Sequence, residues 1–335
     1  ATFTDDIIIG DGKTIGSASD VDAITIASNG QVTLTQTLIG TALDISGDID
    51  VDGTTNLDAV DVDGAANFAA DVTFAVGADI ITASGGTGNL RLGEDAGDAV
   101  TGNFNVLVGK DSGTALEGGA GNVGLGYRTL YTSVAGDYNT AIGREALLTS
   151  NVSGNNYNTA VGAFAGKLVT TGVDNTIIGG LAGDAITTGG NNTVLGKQAL
   201  SADTKGGTAV AIGQLALGAQ NFTSATDNYN VAVGYSAGVG ITTGVQNTII
   251  GGLAGDALTD ADKNVAVGRS ALTSDTLGSM STAIGYSALD NQNFTSATNS
   301  RNTAVGHTAG LEGTTAVDNT LIGEQAGYYI TTGSK

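Results

Sequence analysis

The sequence predicts an all-β repetitive fold: a parallel β-roll or β-helix of 17-residue rungs, closed as a parallel homotrimer and preceded by an acidic β-repeat shaft. Three observations predict it. An asparagine–β-branched–aliphatic–aliphatic–glycine motif ends at Gly93, Gly109, Gly126, Gly143, Gly162, Gly179, Gly196, Gly213, Gly234, Gly251, Gly268, Gly285, Gly306 and Gly323. The intervals are 16, 17, 17, 19, 17, 17, 17, 21, 17, 17, 17, 21 and 17 residues, and such a period makes each repeat pack on its neighbours. Glycine fills 54 of 335 positions while Pro is absent and no G-x-y period exists. That excludes collagen and points to tight corners. Finally, the motif alternates with period two, as a strand does.

Residues 1–85 form the first region, the shaft. IDVDGTTNLDA (49–59) and VDVDGAANFAA (60–70) align at a period of 11, and DVTF (71–74) begins a third copy. Ile49-Asp50-Val51-Asp52 and Val60-Asp61-Val62-Asp63 read as short strands with one apolar and one acidic face, closed by turns at Gly53 and Gly64. GGTG (85–88) reads as a hinge into the second region, residues 86–335.

Each rung of the second region is expected to hold two short strands and two turns. NTAIGREAL (139–147) serves as the type copy. Its second and fourth positions share one strand face, and the third, as in Ala141, Ala160 and Ile177, lies on the other. Arg91 departs at the third position and marks an end-cap. A strand apolar on both faces needs cover on both, and a rung this narrow cannot supply both covers alone. Self-association follows, with a cyclic trimer the most economical closure. The motif glycines, among them Gly143, Gly162, Gly179, Gly234, Gly251 and Gly306, mark corners; Ala three residues later marks a tight interior column. The leading Asn (Asn105, Asn122, Asn139 and onward) reads equally as a stacked amide ladder or a turn residue.

A longer cycle overlies the rungs. Four residues after each motif glycine the chain reads two Gly, then two Leu, repeatedly, and Gly162, Gly234 and Gly306 lie 72 residues apart. The long intervals fall where Leu gives way to Gly, and two carry the same insert, NFTSAT, at 221–226 and 293–298. At ~4.8 Å per rung the inserts should project roughly 19 Å apart.

The net charge of −21 is uneven: residues 1–85 carry 14 acidic side chains against Lys13 alone. Such a surface repels nucleic acid and anionic membranes, so neither is an expected partner. With Cys absent, there is no disulfide framework or thiolate metal site. No stretch has the ~18 consecutive apolar residues of a membrane span, and ATFTDDIIIG at the start lacks the basic and apolar regions of a signal peptide.

NTAIGREA (139–146), NTAVGAFA (158–165), NVAVGYSA (230–237) and NTAVGHTA (302–309) resemble the head repeats of trimeric autotransporter adhesins. The chain resembles still more the repeat regions of bacteriophage tail fibres, and residues 49–74 are similar to shaft segments of such fibres. The resemblance covers residues 86–335 well and 1–85 loosely. It implies a trimeric, left-handed parallel β-roll that serves as a fibre for surface attachment, in a virion or extracellular setting.

Little chemistry competes with that reading. His307 is the only histidine, in a variable slot after the glycine, and no nucleophile–base set accompanies it, so no enzyme and no cofactor is expected. The DVDG runs (Asp61–Gly64) could offer calcium oxygens, yet alternation puts Asp61 and Asp63 on a solvent face, and no metal is expected. Candidate receptor contacts are the inserts 150–157, 221–229 and 293–301, with Asn221, Phe222, Tyr229, Asn293, Phe294 and Tyr157 foremost, facing a cell-surface glycan or protein. Asn221 and Asn293 also match the N-glycosylation pattern. The rival readings are a self-assembling extracellular filament or adhesin, and an ice-binding solenoid using Thr170, Thr187, Thr242 and Thr331.

Overall fold

The computed structural model describes residues 13–17, 20–29, 31–34 and 85–333. The 11-residue repeats at 49–74 and the DVDG runs lie outside these residues. The chain divides into two compact units, 1–73 and 74–335. In the first, strands β1 (Lys13–Ser17), β2 (Asp20–Ile26) and β3 (Val32–Leu34) form an antiparallel meander, with a bulge between Ile15 and Ser17. The tight β2–β3 turn is held by Asn29, whose Oδ1 accepts from Gln31 N at 3.1 Å.

In the second unit the fourteen motifs form fourteen three-residue strands, from Leu90–Leu92 to Thr320–Ile322, in one parallel sheet in sequence order. We number them as rungs 1 to 14. Pairing is in register, Ala141 against Ala160 and Ala160 against Ile177, so like positions stack through the solenoid. From rung 2 to rung 13 the central residue is buried while its two neighbours are half-exposed or exposed. The third position therefore faces the coil interior. The alanine column closes the same core, with Ala146, Ala165, Ala182 and Ala199 fully buried.

The expected second strand of each rung does not form. The return path runs through successive turns, because positive φ recurs at every second residue after the motif glycine. In rung 4, Gly143 (φ 117°), Glu145 (55°) and Leu147 (47°) show the pattern. Such backbone cannot extend, so it closes local bonds (Ala146 N to Gly143 O, 3.2 Å) and bonds to the next rung (Leu147 N to Ala165 O, 3.1 Å). Short second strands appear only where inserts return: Gly136–Asp137 on Gly154–Asn155, Gly206–Gly207 on Thr226–Asp227, and Gly278–Ser279 on Thr298–Asn299.

Among the described residues every positive φ except that of Gly154 falls in four columns: the motif glycine, two and four residues after it, and five before it. At the motif glycine a side chain is excluded on two counts. Its φ lies between 117° and 145°, and a Cβ built on Gly234 would stand 2.7 Å from the Gly251 carbonyl of the next rung. The column four residues on tolerates Leu at φ 47–57° in Leu130, Leu147, Leu200, Leu217, Leu272 and Leu289. Each costs roughly 1–2 kcal/mol of backbone strain, offset by complete or near-complete burial of the side chain.

That column is coupled to the residue three further on. Where it holds Gly, the partner is aliphatic: Val100, Leu116, Val169, Ile186, Ile241, Leu258 and Ile330. Where it holds Leu, the partner is polar: Ser133, Ser150, Asp203, Gln220, Asp275 and Gln292. The two side chains compete for one space; a Cβ on Gly183 would come within 2.8 Å of Ile186 Cδ1. Gly310 with Gly313 is the departure, and there the core keeps a cavity of about 10 Å³, bordered by Leu289, Gln292, Leu321 and Ile330.

The asparagine column is an amide ladder. Asn122 N donates to Asn105 Oδ1 (2.9 Å), Asn139 N to Asn122 Oδ1 (2.8 Å), and Asn192 N to Asn175 Oδ1 (3.0 Å). Most of the Nδ2 groups also reach a carbonyl fourteen residues on, as Asn122 does to Gly136 O (2.8 Å), whereas Asn139 Nδ2 donates to Asn122 Oδ1 (3.2 Å). The positive φ falls on the residue before each asparagine, as at Phe104, Tyr138 and Asp174, so the asparagine serves the ladder and is not itself the turn residue. Buried amides arranged this way leave few orphaned groups.

Replacement of Gly234 by Ala should lower the thermal midpoint, costing at least ~2 kcal/mol through strain and clash. Gly252→Ala, whose Cβ would meet nothing closer than 3.9 Å, should be near neutral in the same calorimetric scan. Gly313→Ala, whose Cβ would stand 3.1 Å from the Gly310 and Ile330 carbonyl oxygens, should shift the midpoint by less than ~1 kcal/mol, because that crowding offsets what filling so small a cavity gains.

Candidate contact site

The three inserts follow rungs 4, 8 and 12, and a buried polar box holds down the second and the third. In the second, Asp203 Oδ1 accepts from Gly206 N (2.9 Å) and Phe222 N (3.1 Å), while Oδ2 accepts from Gln220 Nε2 (2.7 Å). Gln220 Oε1 then accepts from Asn230 Nδ2 at 2.9 Å. Asp275, Gln292, Phe294 and Asn302 repeat this arrangement in the third insert. The box occupies the space freed where the ladder lacks its amide, at Ala209 and Ser281. Before the first insert, where Asn139 keeps the ladder intact, Ser133 and Ser150 take these places.

The box places the predicted contact residues unevenly. Phe222 and Phe294 are each only 6% exposed. They point inward and anchor the insert stems instead of offering a surface. Asn221 and Asn293 are exposed, but their Oδ1 atoms accept from Thr204 and Thr276 hydroxyls at 3.0 and 3.3 Å. Tyr157 and Tyr229 are about half-exposed. Tyr157 stacks on Tyr138 with centroids 5.4 Å apart and planes 8° from parallel, and its hydroxyl accepts from Asn155 Nδ2 at 2.9 Å. Tyr138 in turn lies over Gly121. Stacking costs each ring of this pair one of the two flat faces on which a sugar could stack, whereas Tyr229 has no ring partner among the described residues.

A second band follows the motif glycines. Lys110 pairs with Glu94 (2.7 Å), Arg128 with Asp111 (3.2 Å), and Glu145 with both Lys167 (2.9 Å) and Arg144 (3.2 Å). Lys167 foremost, with Arg144, holds the Glu145 carboxyl below its usual range. Arg128 and Arg144 also lie over Tyr127, at 5.1 and 5.8 Å. His307, exposed as expected, stacks on Tyr286 at 5.3 Å. These cations are spent on neighbouring rungs. So are three of the four threonines of the ice-binding reading: Thr170, Thr187 and Thr242 donate to the carbonyls of Thr187, Thr204 and Thr259 at 3.1, 2.9 and 3.3 Å.

The outward sheet face is a further exposed surface. Positions two and four of the motif line it, and Leu125, Leu195, Ile250 and Ile284 are 38–45% exposed. In one chain, water covers this stripe. Arg91 sits at the centre of rung 1, where its Nε donates to Ala96 O at 2.8 Å. Among the described residues no cluster of acidic or histidine side chains could hold a metal, and no helix is long and apolar enough to cross a membrane.

No family model, curated protein or solved structure matches the chain.

The aspartate–glutamine box escapes the motif reading; its trace is the polar residue three after Leu, as in Leu200–Asp203 and Leu217–Gln220. Burial raises the Asp275 carboxyl above its ordinary 3.8, against the opposing bonds from Gln292, Phe294 and Gly278. The folded chain therefore holds this proton more tightly than the unfolded chain. Its contribution is greatest below the ordinary value and is lost as pH rises through the raised one. Thermal midpoints of the wild type and Asp275→Asn, compared from pH 3 upward, should diverge in the variant's favour above about pH 4, on top of any constant offset. A pH-independent difference would exclude this.

Proposed function

We propose that the chain is a structural fibre protein, associated as a parallel homotrimer, within a phage tail fibre or similar virion appendage that attaches to a host surface. The outward sheet stripe carries this reading. It offers two half-exposed, largely β-branched or aliphatic residues per strand along fourteen strands. A continuous apolar stripe of this kind marks an association surface. Covering the rest of each Val or Ile side chain contributes on the order of 1 kcal/mol. Summed along the stripe, that exceeds the ~4–15 kcal/mol cost of association.

A parallel arrangement suits the stripe because every rung presents the same face at the same height. Three copies around an axis bury one stripe per chain with no edge left over. The role is mechanical: stacked rungs give stiff reach of about 60 Å at ~4.8 Å each, and repeated loops sum weak contacts through avidity. The resemblance to tail-fibre and adhesin repeats supplies the setting, and the inserts supply exposed, laterally projecting loops.

Light scattering of the purified chain, with electron microscopy, should return three chains and a discrete rod. Val233→Asp combined with Val267→Asp, both on the stripe, should yield monomers, whereas Asn221→Asp on an insert should leave the mass unchanged. A monomeric wild type would refute the proposal, and filaments of indefinite length would favour the self-assembling filament.

A further inference from the structure

The second insert overhangs a cleft of about 210 Å³, lined by Thr188, Asn191, Lys205, Gly207, Thr226 and Asp227 together with the Gly189–Gly190 backbone. In the other two cycles a side chain stands at the place of Gly207. Asp137 there accepts from Ala120 N at 2.7 Å, and Ser279 accepts from Asp262 N at 3.0 Å. Gly207 has none, so the equivalent N–H, on Gly190, makes no hydrogen bond among the described residues. A Cβ on Gly207 would stand 2.9 Å from the Gly190 carbonyl oxygen, 3.3 Å from Asp227 Oδ1 and 3.7 Å from the Gly190 nitrogen, so these three atoms border the hollow.

The polar groups around it are unspent. In a solenoid whose columns bond rung to rung, the side chains of Thr188, Asn191, Lys205 and Asp227 make no hydrogen bond or ion pair within the described residues. The corresponding lining differs in the other cycles: Ala135 and Leu277 stand where Lys205 does, and Asn155 and Asn299 where Asp227 does. Donors (Lys205, Gly190 N–H), an acceptor (Asp227) and groups that do both (Asn191, Thr188) thus converge, and no aromatic side chain is among them.

Size and charge narrow the ligand. The cleft is smaller than the ~300–1,000 Å³ of pockets for drug-sized molecules, and at ~30 Å³ per water it holds several waters or one small ring. An anion would face Asp227, a cation would face Lys205, and an apolar group would strand both. Hydroxyls donate and accept together, so a hydroxyl-rich ring satisfies the whole set. We propose that this cleft binds one neutral sugar ring of a surface polysaccharide, held by Asp227, Lys205, Asn191 and the Gly190 N–H. The inference rests on the attachment function proposed above and names its ligand class. A single small polar site binds weakly, and copies in an assembled fibre compensate by avidity.

Saturation-transfer NMR on the full chain, with methyl glycosides of glucose, galactose, mannose and N-acetylglucosamine, tests it. Transfer to the ring protons of at least one glycoside is expected. Asp227→Asn installs the residue the chain uses at this place in the other two cycles and adds no bulk, so it should fold with an unchanged melting midpoint. Gly207→Ser, whose Cβ would stand 2.9 Å from the Gly190 carbonyl oxygen, fills the hollow at some cost to the midpoint, which is measured beside its binding. Each should weaken binding at least about tenfold, the equivalent of one lost charge-assisted bond. No transfer to any glycoside, or transfer in both variants equal to that of the wild type, would overturn the cleft assignment. Retention of fluorescently labelled chain on intact bacterial cells is read in parallel. Retention that both variants keep in full would remove the cleft while leaving attachment standing; glycoside binding without retention would instead remove attachment.

Discussion

Main chain meets main chain at the motif corner, and the remainder of the solenoid is arranged around that contact. Adjacent rungs approach so closely there that a Cβ on Gly306 would come within 2.3 Å of the Gly323 carbonyl oxygen. The approach sets the height of every rung and brings the three-residue strands into register. It also fixes which side of each strand faces inward. Asparagine then ties the opposite end of the strand, its amide bonding one rung through Oδ1 and its Nδ2 reaching a distant carbonyl. Backbone spacing and amide ladder demand the same repeat, so each rung is a template for the next.

The return path follows from the same constraint. With only 17 residues per coil, the chain turns back by placing left-handed residues at alternate positions, and it accepts strained leucines to do so. Strain at Leu147 or Leu200 persists because the side chain is wholly buried and its backbone N–H bonds the neighbouring rung. The exchange of Gly-plus-aliphatic for Leu-plus-polar shows how such a core varies. Volume is conserved between two positions three residues apart, and the polar member then becomes available to secure an insert.

The parts of the fold that repeat were legible in the sequence. The parallel sheet, the glycine corners and the alanine column follow from spacing and period two, because stacking copies each local choice fourteen times; which strand face turns inward does not, since both faces are apolar. The return path was not legible, since Glu145, Phe164 and Ser236 at positive φ belong to no residue class that announces it. The inserts were visible as departures in length, but their orientation was not. Phe222 and Phe294 turn inward because Asp203 and Asp275 capture their backbone N–H groups, an interaction between residues nineteen apart that no local pattern reports. The cleft beside the second insert depends on a missing side chain at Gly207, which reads in the sequence as one glycine among 54.

The near-identity of successive rungs also leaves a translational ambiguity. A partner laid along the outward stripe meets almost the same surface after sliding by one rung, so the stripe alone does not fix its longitudinal position. The inserts remove that freedom as notches on a ruler do: they recur only every fourth rung, and the first is two residues shorter than the other two. Of the single-rung and four-rung slips that repetition would otherwise permit, the first is opposed by the inserts and the second by their unequal lengths.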